Sequence, residues 1–312
     1  MTPNILLITA DQWRGDCLGA AGHPVVRTPA IDALVGAGTC FLRHYAQAAP
    51  CSPARASLYT GLYQMNHRVL RNGTPLDARH DNLAKALGRV GYRPALFGYT
   101  DQAVDPRTMA PDDPRLTTYE EVLPGFTAEV KLPEDNAAWF AWMEGRGHKL
   151  PADPWELFLP AGGRPALPTT QPPRFSQDET ETAFLADAFL DWLPGQPKDG
   201  PWCAHISFLR PHPPFVVPEP FNALYDPAAG PAFRRAASPG DEAAQHPYLA
   251  YWLERTAGEN FCFIGEKDRL VADWPEEAFR NLRATYWGMI SEVDRQIDRL
   301  VEGLKAAGAW DD

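Results

Sequence analysis

The stretch Asn4-Ile5-Leu6-Leu7-Ile8-Thr9-Ala10 is apolar almost without interruption and runs straight into Asp11-Gln12-Trp13-Arg14-Gly15-Asp16. A strand with one face in water alternates apolar and polar side chains, whereas a strand apolar on both faces belongs in a parallel sheet covered by helices on either side. Comparable runs recur at Cys40 to Ala46, Tyr92 to Phe97 and Trp202 to Leu209, with helical patterns between them. That alternation predicts an α/β fold, with a mostly parallel sheet flanked by helices. In open sheets of this kind ligands gather beyond the carboxyl ends of the strands. The residues that follow the runs are therefore the first functional candidates: Asp11, an acid able to hold a divalent cation, Gly98-Tyr99-Thr100-Asp101, and Arg210-Pro211-His212.

The helices announce themselves by their ends. Thr28-Pro29 opens one whose buried stripe is Ile31, Leu34 and Val35, stopped by Gly36 and Gly38. Asp81 caps a second from Asn82 to Val90, and the capping box Ser176-Gln177-Asp178-Glu179 precedes a third marked by Phe184, Leu185, Ala188 and Leu193. Pro275 starts a long helix in which Leu282, Tyr286, Met289, Val293, Ile297, Leu300 and Leu304 recur at three- and four-residue steps. Two stretches lack such periodicity: 116–177, read as a surface excursion with a short helix near Asn136 to Glu144 that serves as a lid or a homo-oligomer contact, and 216–273, with a short helix at Tyr248 to Glu254. The whole of 1–312 reads as one domain carrying these two insertions.

Composition narrows the partners. A net charge of −11 over 312 residues argues against nucleic acid, whose phosphates want a basic face, so an anionic substrate must be drawn by a local site. No apolar run reaches membrane-spanning length. Cys17, Cys40, Cys51, Cys203 and Cys262 form an odd set with no Cys-x-x-Cys pair, which favours free thiols, and Met1-Thr2-Pro3-Asn4 lacks a basic leader, so a cytoplasmic protein is expected.

Chemistry concentrates in Ala49-Pro50-Cys51-Ser52-Pro53-Ala54-Arg55-Ala56-Ser57-Leu58-Tyr59-Thr60-Gly61. Pro53 suits a helix's opening turn, which puts Cys51 at a helix start whose free N–H groups attract anions and puts Arg55 where its guanidinium can fork onto an oxyanion. Taken alone this is also the pattern of a buried Cys near a helix cap. Cys-x-Pro-x-Arg followed by small residues and Leu-Tyr-Thr-Gly resembles the signature of type I sulfatases in the alkaline phosphatase superfamily. The resemblance implies an alkaline phosphatase-like fold, oxidation of Cys51 to formylglycine by a formylglycine-generating enzyme, and one divalent metal ion, Mn or Ca, held by Asp11 and position 51. Gln12 departs from the second Asp that many sulfatases carry.

Asn66-His67-Arg68-Val69-Leu70-Arg71-Asn72-Gly73-Thr74-Pro75-Leu76 resembles one branch of that superfamily, the phosphonate monoester hydrolases. Ordinary sulfatases continue after the third strand to a Gly-Lys-x-His segment, whereas this chain reads Asp101-Gln102-Ala103-Val104-Asp105-Pro106-Arg107-Thr108, with neither Lys nor His. A missing cation suits a singly charged diester or phosphonate monoester better than a doubly charged ester. The resemblance assigns Cys51, Arg55 and His212 to catalysis and Gln12, Asn72, Tyr99 and Asp101 to the substrate. Asp101 stands where the branch leads one to expect a hydroxyl, and Asn72 reads on its own as a turn residue before Gly73. The implied reaction is hydrolysis of small anionic phosphonate monoesters and phosphodiesters; arylsulfatase activity and a catalytically inactive scaffold are the alternatives. The resemblance also implies that the chain stops before the family's last strands, their Asp-His metal pair and Lys, and a smaller C-terminal subdomain.

Overall fold

The computed structural model of the chain describes residues 2–197, 200–258 and 268–310, which leaves Cys262 outside the described residues. Four parallel strands form one sheet in the order β1 (Ile5–Ala10), β4 (Cys203–Phe208), β2 (Pro94–Gly98), β3 (Thr127–Lys131). The expected α/β architecture is thus present, with all four carboxyl ends on one edge. The central strands β2 and β4 are buried throughout, as their unbroken apolar runs require. β1 is half-buried along its length because it lies at the sheet's edge and pairs with β4 on one side.

Nine helices are described: α1 (Pro29–Ala37), α2 (Cys51–Thr60), α3 (Gln64–His67), α4 (Leu83–Arg89), α5 (Ala137–Gly145), α6 (Glu181–Trp192), α7 (Pro239–Gln245), α8 (Pro247–Leu253) and α9 (Glu276–Ala306). Neighbours along a strand point to opposite faces, so His205 and Ile206 report the two sides of the sheet. Tyr59 of α2 meets the His205 ring edge-on, at 5.8 Å between centroids. Phe97, in register with Ile206, meets Phe189 of α6 at 5.7 Å on the other side. Helices therefore cover both faces, α2 on one and α6, backed by α9 and α1, on the other. α9 also steadies α1 directly, since Asp294 accepts from the backbone N–H groups of Ala30 and Ile31, which no carbonyl of their own helix can satisfy.

Several local expectations need correction. Cys40 to Ala46 is not a strand: Phe41, Leu42 and Tyr45 are exposed, and no ladder pairs the segment, so an apolar run without a sheet neighbour remains a loop. The cap of α4 is Asn82, whose side chain accepts from Lys85 N, while Asp81 instead pairs with Arg89. Thr180, not the Ser176–Glu179 box, caps α6. The expected helices near Asn136 and Tyr248 are α5 and α8. The stretch 116–177 as a whole is not a surface excursion, because it delivers β3 to the sheet and buries Leu132, Trp139, Met143, Phe158 and Phe175 in the main core. The physical reason is in its aromatic residues, which gain far more by joining α6 and β4 than by facing water.

Candidate active site

The sheet edge builds the site from four chain segments. The β1–β4 ladder continues one step, with Asp11 N donating to Phe208 O at 3.1 Å, and this fixes Asp11 just beyond the strand. β2 ends in Gly98, at φ 115°, where a Cβ would come within 2.3 Å of Ser207 O; only glycine allows the two central strands to close up there and turn Tyr99 into the site. α2 begins at Cys51 and ends at Gly61, a left-handed cap at φ 69° whose N–H donates to Ser57 O.

The Cys51 thiol lies 3.5 and 3.8 Å from the two carboxylate oxygens of Asp11. Burial, then the charge of Asp11, pushes the thiol well up, so as a cysteine it is held protonated. One turn along the helix, Arg55 is buried and donates to Ser207 Oγ at 2.9 Å, Tyr99 O at 3.4 Å and Tyr59 Oη at 3.5 Å, and its Nη2 stands 3.7 Å from Asp11. The guanidinium stacks over the Tyr99 ring at 4.1 Å. Tyr99 donates its hydroxyl to Asp11, and burial raises that hydroxyl so that it keeps its proton. Asp11, Cys51, Arg55 and Tyr99 thus form one bonded cluster.

Two further candidates adjoin it through Ser52. Asn72 Oδ1 accepts from Ser52 N at 3.0 Å, which closes the start of α2 and leaves the amide nitrogen to donate elsewhere. Asp101, in the left-handed region at φ 53°, is 1% exposed beside the Ser52 hydroxyl. Burial lifts its carboxyl to about 7 against the pull of Ser52 and the Arg55 charge, and the charges of Glu120 and Glu134 add to the lift. Gln12 differs. Also left-handed, at φ 59°, it is exposed, and its anchor is backbone: Tyr286 of α9 donates to Gln12 O at 2.6 Å.

His212 follows β4 by a turn in which its N–H donates to Leu209 O. Its Nδ1 donates to Pro213 O at 2.7 Å, since a carbonyl only accepts, and its Nε2 lies 3.8 Å from Glu134 Oε1. His205 is the core residue its place in a strand suggests, 1% exposed, held neutral by burial that lowers it to about 3, and bonded to Thr9 Oγ1 at 3.1 Å. Sequence reasoning missed Ser207, Tyr59, Gln102 and Glu134. Gln102 donates from Nε2 to Ser52 O and Asp101 O at 3.0 and 2.8 Å. Only the strand alternation that puts Ser207 on the same face as His205, two residues before it, could have hinted at one of them.

For a metal the fit is partial. Asp11 and position 51 offer two donors, while a divalent ion takes four to eight, about six for Mg and more for Ca. Among the described residues no three His, Cys, Asp or Glu side chains come together as a ligand set, and no helix is long and apolar enough to cross a membrane.

The chain is 39% identical over 317 residues to the multifunctional alkaline phosphatase superfamily protein PehA of Trinickia caryophylli, covering 99% of this chain and 61% of that protein. It superposes on the phosphonate monoester hydrolase of Agrobacterium radiobacter with a TM-score of 0.95 and 56% identity, and on SpPMH, that of Silicibacter pomeroyi, with 0.89 and 37%; each time it covers 100% of this chain and 61% of the other. The chain therefore spans about three-fifths of the length of these relatives. The Sulfatase family model matches residues 3–312, and the chain belongs to the sulfatase family.

Proposed function

We propose that the protein hydrolyses phosphonate monoesters and phosphodiesters at the Cys51 cluster. The observation that carries this is the joint hold on position 51 and Asp11: a helix N-terminus, a buried guanidinium and a tyrosine hydroxyl converge on one carboxylate and the side chain beside it. The relatives named as phosphonate monoester hydrolases support the substrate class.

Once oxidised to formylglycine by a formylglycine-generating enzyme, position 51 supplies a hydrated aldehyde as nucleophile; the Cys51 thiol stands in for it here. A divalent ion of the Mn or Ca kind, held in part by Asp11 and position 51, supplies charge stabilisation beside it. The chain's own residues do the rest. Tyr99 and Arg55 fix the orientation of Asp11. Arg55 directs its charge toward position 51, and the amides of Asn72 and Gln12 are the donors for the ester's oxygens. His212, its Nδ1 tied to Pro213 O, presents Nε2 as the proton donor to the departing alkoxide.

The experiment compares steady-state rates on 4-nitrophenyl phenylphosphonate and 4-nitrophenyl sulfate, with full-length protein co-produced with a formylglycine-generating enzyme and with Cys51→Ala as control. Faster turnover of the phosphonate, abolished by Cys51→Ala, is expected. A preference for the sulfate by orders of magnitude would make the protein an arylsulfatase, and no turnover in protein whose Cys51 is converted would make it a scaffold.

A further inference from the structure

The segment that carries His212 has little means of holding itself. Of the six residues from Pro211 to Val216, three are proline, so half of the backbone N–H groups that a turn could use are missing. Of the rest, His212 N donates to Leu209 O at 3.0 Å and Val216 N to Pro214 O at 2.9 Å. A side chain supplies the further donors. Arg210, 4% exposed just beyond β4, folds back over the segment, and its Nη1 donates to Pro214 O and, at 3.4 Å, to Val216 O. Its Nη2 donates to both carboxylate oxygens of Glu181, at 3.0 and 3.3 Å. Glu181 is 1% exposed and opens α6, where the free N–H groups and the helix dipole favour a carboxylate. The guanidinium lies over the Phe158 ring, 5.3 Å from its centroid.

A buried ion pair gains little net stability over apolar residues of the same size, so its use is better judged by what its donors hold. Here they hold carbonyls of the His212 segment. Pro214 O and Pro213 O flank Pro214, whose ring locks φ and leaves ψ as the one soft torsion between them. The grip on Pro214 O therefore carries to Pro213 O, the acceptor of His212 Nδ1 at 2.7 Å. That acceptor also decides which nitrogen keeps a proton: with Nδ1–H given to Pro213 O, Nε2 is the atom left to exchange one. Glu181 and Arg210 touch the imidazole only through this backbone.

We propose that Glu181 and Arg210 are positioning residues for the proton donor: the carboxylate at the start of α6 fixes the guanidinium, the guanidinium fixes the proline-rich segment, and the segment aims His212 Nε2 at the leaving oxygen. The proposal rests on the hydrolase reading for the role of His212, and one arm of its test needs no turnover. Arg210→Lys keeps a cation for Glu181 but lacks the second nitrogen that reaches the carbonyls, and Glu181→Gln keeps an acceptor while removing the charge. In full-length protein with position 51 converted, kcat/KM is measured on ethyl phenylphosphonate and on 4-nitrophenyl phenylphosphonate in the same preparation, so that the folded fraction cancels in the ratio. Nitrogen NMR of the histidine rings, with His212→Gln identifying the signal, reports the tautomer of the neutral imidazole.

The ratio of ethyl to nitrophenyl ester rates is expected to fall about tenfold or more in Arg210→Lys and in the same direction in Glu181→Gln, the effect of a misplaced catalytic group. Added to His212→Gln, neither substitution should lower the ratio further. The neutral His212 ring is expected to carry its proton on Nδ1 in wild type and to lose that preference in Arg210→Lys. Equal losses on the two esters overturn the proposal, since a pair that only stabilises the core would act on both alike. A wild-type ring protonated on Nε2 overturns it as well, and that measurement needs no variant to fold. If Arg210→Lys does not fold, Glu181→Gln and the wild-type ring decide. Equal losses on both esters in His212→Gln itself would remove the proton-donor role, while a tautomer that shifts in Arg210→Lys would still show the pair positioning the imidazole.

Discussion

The Arg55 guanidinium donates to Ser207 Oγ at 2.9 Å, joining two residues 152 positions apart on α2 and β4. Ser207 Oγ also accepts from Thr9 Oγ1 at 3.2 Å, and Thr9 in turn bonds His205, so a short polar chain ties three neighbouring elements behind the site. Arg55, Ser207 and His205 are buried and Thr9 is half-buried, and away from water the loss of an acceptor from a charged donor is expensive. Ser207→Ala is expected to lower stability by about 1–3 kcal/mol in urea denaturation, the cost of removing one acceptor from a buried charged donor that keeps Tyr99 O and Tyr59 Oη. It is also expected to reduce kcat/KM on the phosphonate ester, because Arg55 loses the shortest of its hydrogen bonds. Retained stability together with retained activity would show that the bond holds nothing in place.

Trp139 is fully buried and donates from Nε1 to Glu179 O at 2.9 Å, with Phe140, Phe158 and Phe175 rings between 5.2 and 5.3 Å for the first and last and 5.2 Å for Phe158. Trp139→Ala is therefore expected to cost about 3–5 kcal/mol, the range for emptying an aromatic site in a core. A urea midpoint shift equivalent to less than about 1 kcal/mol would return 116–177 to the surface.

What the sequence made legible was local, and what it hid was long-range. The strands β2 and β4 were readable because burial on both faces leaves an unbroken apolar run, and the Cys51–Arg55 unit was readable because one helical turn holds it together. β3 was not, because Thr127-Ala128-Glu129-Val130-Lys131 lies at the sheet's edge, mostly exposed, and edge strands carry the polar residues that mask them. Cys40 to Ala46 erred the other way, since apolar residues signal a strand only when a neighbouring strand accepts them. Glu134 gave no signal and Ser207 only its place two residues after His205: a serine in a strand and a glutamate in a loop acquire their roles from partners the fold brings from far along the chain.

Glu292 sits in the middle of α9, 1% exposed, accepting from Thr180 Oγ1 at 2.8 Å and Gln296 Nε2 at 3.1 Å. Burial lifts its carboxyl from 4.5 to about 7. The folded chain therefore keeps this proton after the unfolded chain has released it. The resulting stability is complete below about pH 4.5, is lost as pH rises toward 7, and stays lost above. Glu292→Gln keeps an acceptor for Thr180 and removes the titration. Relative to wild type, the variant is expected to gain stability between pH 4.5 and 7, by on the order of 3 kcal/mol across the window. Urea denaturation of both proteins at the two ends of that range checks the sign, and parallel curves would mean that Glu292 does not titrate there.

His212 carries the sharpest chemical expectation. A proton donor matters in proportion to how badly the leaving oxygen needs the proton: an alkoxide needs it, while a nitrophenolate leaves as a stable anion. His212→Gln retains a side chain able to hydrogen-bond yet cannot transfer a proton. The variant is expected to lose about 100-fold or more in kcat/KM on an alkyl ester of phenylphosphonic acid, within the range for general acid catalysis. On the 4-nitrophenyl ester the loss is expected to be much smaller, and the dependence of rate on the leaving group's pKa steeper than in wild type. Equal losses on both esters would mean that the imidazole positions substrate and gives it no proton. Because Nδ1 is committed to Pro213 O, the donor in question is Nε2, the atom 3.8 Å from Glu134.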